Sequence, residues 1–531
     1  MTDSGVTDSG VAGAGWTVAG VVRGNAAADP HGCAISAGEC DWSWAELDER
    51  SSRVAQGLAA AGVGAGDRIA FLDKNGAEYF EVLFGAGKLG AVNVAVNWRL
   101  APAEMQYVIN DAEAKVLVVG PDFTGHLDQM RPGLDTVKTI VQIGGPADAN
   151  YDDWVAAHPA TDPGHVGAPG DVALQLYTSG TTGLPKGAML TNGNFATIVT
   201  RVAAPWQLDA SSVNLVAMPL FHIGGSGWAL VGMAAGCRSE VVREAAPDSL
   251  LDLIAGRGVT NAFIVPALLQ VLCAVPGAAE RDYGALRAIM YGASPITDRA
   301  LTVAMETFRC DFVQLYGLTE TTGAVTQLDA ADHDPDGPRA RLLRSAGRPY
   351  PWVEMHVVDP ESGEERPRGE VGELWCRSTQ NMLGYWNKPD ATAAVLTPDG
   401  WFRTGDAGYM DPDGYVFLTD RIKDMIVSGG ENVYPAEVEN VVASHPDVAD
   451  VAVIGVPDAR WGETVKAIVV PAPGATPDPA AVIAFCRERL AHFKCPTSVD
   501  LIEVLPRNPS GKILKRQLRE PYWQGVERRI N

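Results

Sequence analysis

The 531-residue sequence contains no run approaching the ~18 consecutive apolar residues of a membrane-spanning helix. Its first residues, MTDSG, are acidic and lead into no apolar h-region. A soluble, unexported, cytoplasmic protein is therefore expected, with membrane association at most peripheral. Cysteine is sparse and scattered: Cys33, Cys40, Cys237, Cys273, Cys310, Cys376, Cys486 and Cys495 form no CxxC pair. That pattern suggests neither a disulfide framework nor a zinc site. Basic charge is in deficit, with 42 Lys and Arg against 65 Asp and Glu and a formal charge of -23. The resulting field opposes docking on nucleic acid or anionic lipid, so any anionic ligand must be held by local groups. Three motifs are also missing: HExxH, the GxSxG elbow and the GK[ST] ending of a Walker loop. Hydrolase readings therefore lack support.

With 46% hydrophobic residues the chain can bury a large core and divide into roughly three or four folding units. Residues 1–15 repeat small and polar types that bury too little to repay ordering, which predicts a flexible tail. From Arg68, β-branched runs (RIAFL, AVNVAV, KVLVV) alternate with helical periodicity over Ala77 to Leu89 and Ala103 to Asp111, the order of a largely parallel sheet. VALQLY, SEVVR, NAFIV, LRAIMY and DFVQLY read as a second α/β layer. After about Arg348, PESG, PDG and DPDG turns separate short strands and predict a β-rich subdomain. Beyond DRIKD, a helix from Pro435, strands ADVAVIGV and VKAIVV, and a helix from Asp478 to His492 predict a small α+β domain. The expected fold class is α/β: a large N-terminal domain of stacked sheets, residues 16–422, and a mobile C-terminal domain, residues 423–531.

Tyr177 to Gly187, YTSGTTGLPKG, carries the sharpest chemistry. It follows an apolar strand and combines Thr178, Ser179, Thr181 and Thr182 with Gly180 and Gly183 and with Lys186. Glycines admit backbone N–H groups to phosphate oxygens, hydroxyls add donors, and Lys186 supplies a point charge for leaving pyrophosphate. A surface turn accounts for Gly and Ser but not for the whole string. GAGKLG, Gly85 to Gly90, satisfies GxGxxG formally, but it lies inside a helical segment and precedes a strand, so small-residue packing explains it better. RARLLRSAGR, Arg339 to Arg348, is the one basic cluster; a solvated loop is the expectation there, over contact with phosphates or a membrane.

Together with YGLTE (Tyr316 to Glu320), GWFRTGD (Gly400 to Asp406), DRIKDMIVSGGENVYP (Asp420 to Pro435) and PRNPSGK (Pro506 to Lys512), this string resembles the adenylate-forming superfamily, and within it the bacterial fatty-acyl-CoA ligases. The resemblance covers most of the chain. It implies ATP, Mg2+ and coenzyme A as co-substrates, a small carboxylic acid as partner, and leaves homodimerisation open. It also implies roles: Tyr316 stacks on adenine, Gly292 and Ala293 line the base, Gln314 meets its edge, Asp406 and Arg421 hold the ribose, Thr319 holds the α-phosphate, and Glu320 binds magnesium. Lys512 is implied as the catalytic lysine and Lys423 as the hinge. Gly429 and Gly430 would present backbone to the pantetheine arm, although a tight turn would use the same glycines. His222 of LFHIGGSGW is implied beside the reacting carboxylate, a packing role being the plain alternative.

Gly224, Trp228, Val265 and Leu315 are candidate walls of the acid pocket, with Gly292 beside them, and their apolar character favours an apolar acid. Leu315 departs from the glycine common in relatives, which narrows the tunnel. A fatty acid is the first reading; an aromatic or polycyclic acid, or transfer to a carrier protein, is the alternative. A fused carrier domain is not expected, because the chain ends at Asn531 soon after the lysine motif. Residues 348 to 376 show no long insertion of the kind fatty-acyl-AMP ligases carry.

Overall fold

The computed structural model describes residues 15–145, 148–178, 184–360, 362–421, 424–428, 431–458, 461–507 and 512–524. The expected tail lies outside them except for Gly15, as do Ser179, Gly180, Thr181, Thr182, Gly183, Lys423, Gly429 and Gly430. Of Arg421 only the backbone is described.

Among the described residues, four sheets organise the chain. The first has eight strands and a parallel centre formed by Val172–Thr178, Val92–Ala95, Arg68–Leu72, Ala114–Val119 and Thr139–Gln142. The second has nine, with Asp311–Leu318, Ala288–Gly292, Asn261–Phe263, Val213–Val216 and Arg238–Val241 parallel in that spatial order. A third, antiparallel sheet joins Glu354–Val358, Gly372–Arg377, Phe402–Met410 and Val416–Arg421. The fourth follows residue 426 and pairs Val448–Asp458 with Gly462–Pro471, to which Ser498–Leu501 adds in parallel.

Two sequence expectations are corrected. VALQLY does not open the second layer: it lies beside Val92–Ala95 in the first sheet, and the second sheet, whose edge is made by Cys33–Ala37 and Cys40–Ser43, is rejoined at Val213. The helix expected from Asp478 to His492 stops at Arg487, and His492–Lys494 forms a separate 3-10 turn.

Helices fill the space between the two large sheets, and one core cluster takes residues from both. Ile223–Ala234, IGGSGWALVGMA, carries no charge on any face, as a helix buried all round must. Trp44–Ala60 begins with a capping box, in which Ser43 Oγ accepts from the Glu46 amide and the Glu46 carboxylate accepts from the Ser43 amide, a pairing worth about 1 kcal/mol. The GAGKLG segment ends the helix Ala77–Leu89, with Gly90 as its left-handed cap. A Cβ at Gly85 would stand 2.9 Å from the Ser51 carbonyl oxygen, so this glycine lets two helices touch, as small-residue packing requires. Asn75 pins the carboxyl ends of the two sheets: its Nδ2 donates to the carbonyls of Met218 (3.0 Å) and Val242 (3.1 Å), and its Oδ1 accepts from the Leu220 amide (3.1 Å). Crevices at strand carboxyl ends are where open α/β sheets bind ligands.

Candidate active site

The chain leaves the strands Ala288–Gly292 and Asp311–Leu318 at this crevice, and their register sets Gly292 opposite Leu315. A Cβ on Gly292 would stand 2.1 Å from the Leu315 carbonyl oxygen, so only glycine fits. Ala293 follows with φ 66°, a left-handed conformation that costs a non-glycine residue ~1 kcal/mol or more and that gathers at functional sites. Across the crevice, the buried Tyr316 hydroxyl donates to Asp406 Oδ2 at 2.8 Å, and the Asp406 amide donates to Thr404 Oγ1 at 3.0 Å. Burial and the Asp406 anion push the Tyr316 hydroxyl well above its ordinary range, which keeps it a donor. Asp406 pairs with Arg421 in strand register. Gln314 Oε1 is buried without a hydrogen-bond partner among the described residues, an acceptor left for an exogenous N–H.

Gly317 lies so close to Gly323 that a Cβ would stand 1.9 Å from its carbonyl oxygen. This approach allows the hairpin that sends Thr319–Thr321 into a 3-10 turn, with Thr319 half-buried and Glu320 buried. Glu320 Oε1 accepts from the Tyr385 hydroxyl at 2.8 Å. Lys186 Nζ stands 5.0 Å above the Tyr385 ring, and Tyr385 pairs with Ala188 on the strand that begins at Lys186. Thr178 and Lys186 are cross-strand partners at the mouth of the Ser/Thr/Gly loop. Lys186, Tyr385 and Glu320 thus form one cluster of cation, hydroxyl and carboxylate. Sequence reading missed Tyr385, whose signal was a single Tyr in NMLGYW. No group of three or more His, Cys, Asp or Glu that could hold a metal occurs among the described residues. A cation at Glu320 would therefore need phosphate oxygens and water to complete its shell, the arrangement Mg2+ favours.

His222 precedes the helix Ile223–Ala234, and its carbonyl accepts from the Gly225 and Ser226 amides. Its Nε2 is buried without a hydrogen-bond partner among the described residues, and its ring centroid lies 4.4 Å from that of Phe221. Burial, then the positive charges of Arg99 and Lys512, hold the imidazole down to about 3. Lys512 thus lies within electrostatic reach of His222, although the two are far apart in sequence. The segments flanking Lys512 are tied by a bridge between Arg507 and Ile513 and by the Leu514 amide, which donates to the Pro506 carbonyl at 2.8 Å.

Behind His222 the wall is aromatic. Gly224 faces Phe263, where a Cβ would stand 2.9 Å from the ring. Trp228 Nε1 donates to the Leu215 carbonyl at 2.9 Å, fixing an indole whose centroid lies 6.3 Å from Phe263 and 5.7 Å from Trp206. Val265 and Leu315 are buried nearby in the same core cluster. Phe263 and Trp206 were not among the sequence candidates; both sit in segments without a motif. In the basic run ending at Arg348, three arginines are paired with acids: Arg339 with Asp332, Arg341 with Asp411 and Arg344 with Asp298, at 2.7 to 2.8 Å.

Residues 22–386 match the family model described as AMP-binding enzyme, and residues 437–512 match the AMP-binding enzyme C-terminal domain. A fatty acid–[acyl-carrier-protein] ligase, ScoC, of Streptomyces coeruleorubidus is 43% identical over 92% of this chain and 93% of its own. A feruloyl-CoA synthase of an Amycolatopsis species is 39% identical over 93% of this chain and 96% of its own. Among solved structures, ATP-bound MatB from Rhodopseudomonas palustris superposes with a TM-score of 0.86 at 33% identity, covering 95% of this chain and 99% of that one. The crevice with its glycine-edged strands, the Lys186–Tyr385–Glu320 cluster and the lysine brought near His222 thus belong to a chain that is a member of the AMP-binding enzyme family, the adenylate-forming ligases.

Proposed function

We propose that this AMP-forming acid ligase joins an apolar monocarboxylic acid, in the first reading a fatty acid, to coenzyme A. The observation that carries the proposal is the cluster of Lys186, Tyr385 and Glu320 at the mouth of the Ser/Thr/Gly loop, with Lys512 within electrostatic reach of His222 beside it. It gathers the charges needed to bring a carboxylate to a triphosphate.

Tyr316 and the Gly292–Ala293 turn hold adenine, with Gln314 Oε1 accepting from its amino group, and Asp406 with Arg421 binds the ribose. Thr178 to Gly183, Thr319 and Lys186 take the phosphates. Glu320 takes Mg2+, whose bound charge lowers the repulsion between acid and triphosphate; the carboxylate suits it because Tyr385 engages Oε1 and leaves Oε2 for a cation. An oxygen of the acid attacks the α-phosphorus, the bond to the bridging oxygen breaks, and pyrophosphate departs against Lys186. Lys512 neutralises the carboxylate and the α-phosphoryl oxygens during that approach. In the second half-reaction the thiolate attacks the acyl carbon, the carbon–oxygen bond to phosphate breaks, and AMP leaves.

His222 works as a neutral ring. With its folded value near 3 against an ordinary ~6.5, it releases its proton on folding and stays unprotonated at any pH above that value. Between pH 5 and 8, pyrophosphate-release profiles of the wild type and His222→Asn are expected to share one shape; a limb near pH 6.5 confined to the wild type would refute a neutral role.

Lys423 is proposed as the pivot between the half-reactions, and Gly429 and Gly430 as the pantetheine contact. Support comes from Asp424, which is bound to Arg519 at 2.8 Å by a largely buried pair and therefore travels with the C-terminal unit. Lys423→Pro is expected to slow thioester formation more than adenylate formation, and equal losses in both would discard the pivot.

The fixed Trp228 and its neighbours Phe263 and Trp206 favour a second reading for the acid, a planar aromatic one, since flat rings stack on such a wall better than a long alkyl chain passes it. The test is AMP, pyrophosphate and thioester production with ATP, Mg2+ and coenzyme A across straight-chain, cinnamic-type and polycyclic acids. Thioester from straight chains supports the first reading, and thioester from aromatic acids alone the second. Adenylate that accumulates without thioester would move the acceptor to a carrier protein, and pyrophosphate release with no acid would overturn the ligase reading.

A further inference from the structure

The mouth of the phosphate loop is held from outside the site by one carboxylate. Asp111 ends the helix Pro102–Asp111 and is largely buried. A carboxylate in a final helical turn opposes the macrodipole and needs donors from elsewhere. Two are present, Tyr177 Oη at 2.8 Å to Oδ2 and Lys388 Nζ at 2.7 Å to Oδ1, and Tyr107 Oη adds a third at 3.2 Å from one turn back in the same helix.

Tyr177 and Lys388 belong to two flanks of the site, and Tyr107, on the helix of Asp111 itself, reaches a third. Tyr177 immediately precedes Thr178 where the chain enters the loop, and burial with the Asp111 anion pushes its hydroxyl far above the ordinary range, so it remains a donor. Tyr107 shares its hydroxyl proton with the Pro185 carbonyl at 3.4 Å, where the chain leaves the loop just before Lys186. Lys388 donates its amide to the Tyr385 carbonyl at 3.2 Å, and Tyr385 holds Glu320. The turn after Asp111 adds a fourth tie, since Glu113 (φ 55°) accepts at 3.1 Å from Asn387 (φ 51°) on the Tyr385 segment. Trp386, between them, donates its amide to the Gly187 carbonyl at 2.8 Å.

We propose that Asp111 is a positioning residue for adenylation: its carboxylate clamps both ends of the phosphate loop and the Tyr385 segment in one register, so that Lys186 and Glu320 face the same triphosphate. The proposal rests on the ligase reading. It concerns the β- and γ-phosphates and not the nucleoside, because Tyr316 and Asp406 are held by other strands. A purely structural Asp111 would affect every ligand through global stability. A positioning role separates ATP from AMP.

The test is calorimetric binding of Mg·ATP and of AMP to the full chain, which needs no knowledge of the acid. Asp111→Asn is expected to weaken Mg·ATP about tenfold, the scale of one lost charged hydrogen bond, and to leave AMP affinity unchanged. Tyr177→Phe, which removes only a hydroxyl and stands in should Asp111→Asn fail to fold, is expected to show the same split more weakly. The double variant should bind Mg·ATP no worse than Asp111→Asn alone. Equal weakening of ATP and AMP, or no weakening by either variant, overturns the clamp. A folded wild type that binds neither nucleotide overturns the ligase reading beneath it.

Discussion

Lys512→Ala is expected to lower acid-dependent pyrophosphate release by ~10²-fold or more while the protein keeps its fold. Two anions must meet in the first half-reaction, and in a site from which water is displaced their repulsion is only weakly screened. Lys512 is proposed to supply the counter-charge, within electrostatic reach of His222, where the acid carboxylate is proposed to lie. Folding should tolerate the change, since the residue is half-buried in a segment held by the Arg507–Ile513 bridge and by the Arg507–Asp450 ion pair at 2.6 Å, which the substitution does not touch. The prediction is separable by half-reaction. Given synthetic acyl-adenylate and coenzyme A, the variant should form thioester at close to the wild-type rate, because no phosphoryl approach remains to be shielded. Normal pyrophosphate release by a folded Lys512→Ala, or equal loss in both half-reactions, would show that the lysine does something else.

The legible parts of the site were those written in contiguous residues. YTSGTTGLPKG suggests a phosphate loop by its glycines, hydroxyls and lysine alone, and the described residues add that Thr178 and Lys186 are cross-strand partners. YGLTE likewise places Tyr316 near the end of one strand and Thr319 and Glu320 in the turn that follows it. What could not be read was made by sheet pairing between distant segments. Tyr385 enters the site because its two-residue strand adds to the edge of Lys186–Thr191, and a lone Tyr carries no sign of that pairing. Phe263 and Trp206 join the proposed acid wall through packing on Trp228. Asp111 has the sequence context of an ordinary helix end, and only its three donors distinguish it. The fold followed the same rule: alternation marked VALQLY as a strand, but periodicity does not specify which sheet a strand enters, and its place beside Val92–Ala95 depends on a crossover that no local pattern encodes.

Glu320→Gln offers the other large effect, an expected loss of ~10²-fold in pyrophosphate release at fixed Mg2+, because a hard divalent ion loses an anionic oxygen and gains only an amide dipole. The substitution is nearly isosteric, and the amide oxygen can still accept from the Tyr385 hydroxyl now 2.8 Å from Oε1. The Glu320 carbonyl keeps the Met382 amide at 2.7 Å, so the local turn should survive. The diagnostic is the metal titration: Glu320→Gln should require a higher Mg2+ concentration for half-maximal rate, whereas a residue that merely braces the hairpin would lower the plateau and leave the midpoint in place. Tyr385→Phe removes the hydroxyl that orients Oε1 and should move the midpoint in the same direction by a smaller amount, about tenfold in rate at most. Since Tyr385 acts through Glu320, adding Tyr385→Phe to Glu320→Gln should cost less than it does alone. Additive losses, or an unmoved Mg2+ midpoint in Glu320→Gln, would remove the carboxylate from the metal site and leave it a buried brace between the Tyr316 hairpin and the Tyr385 strand.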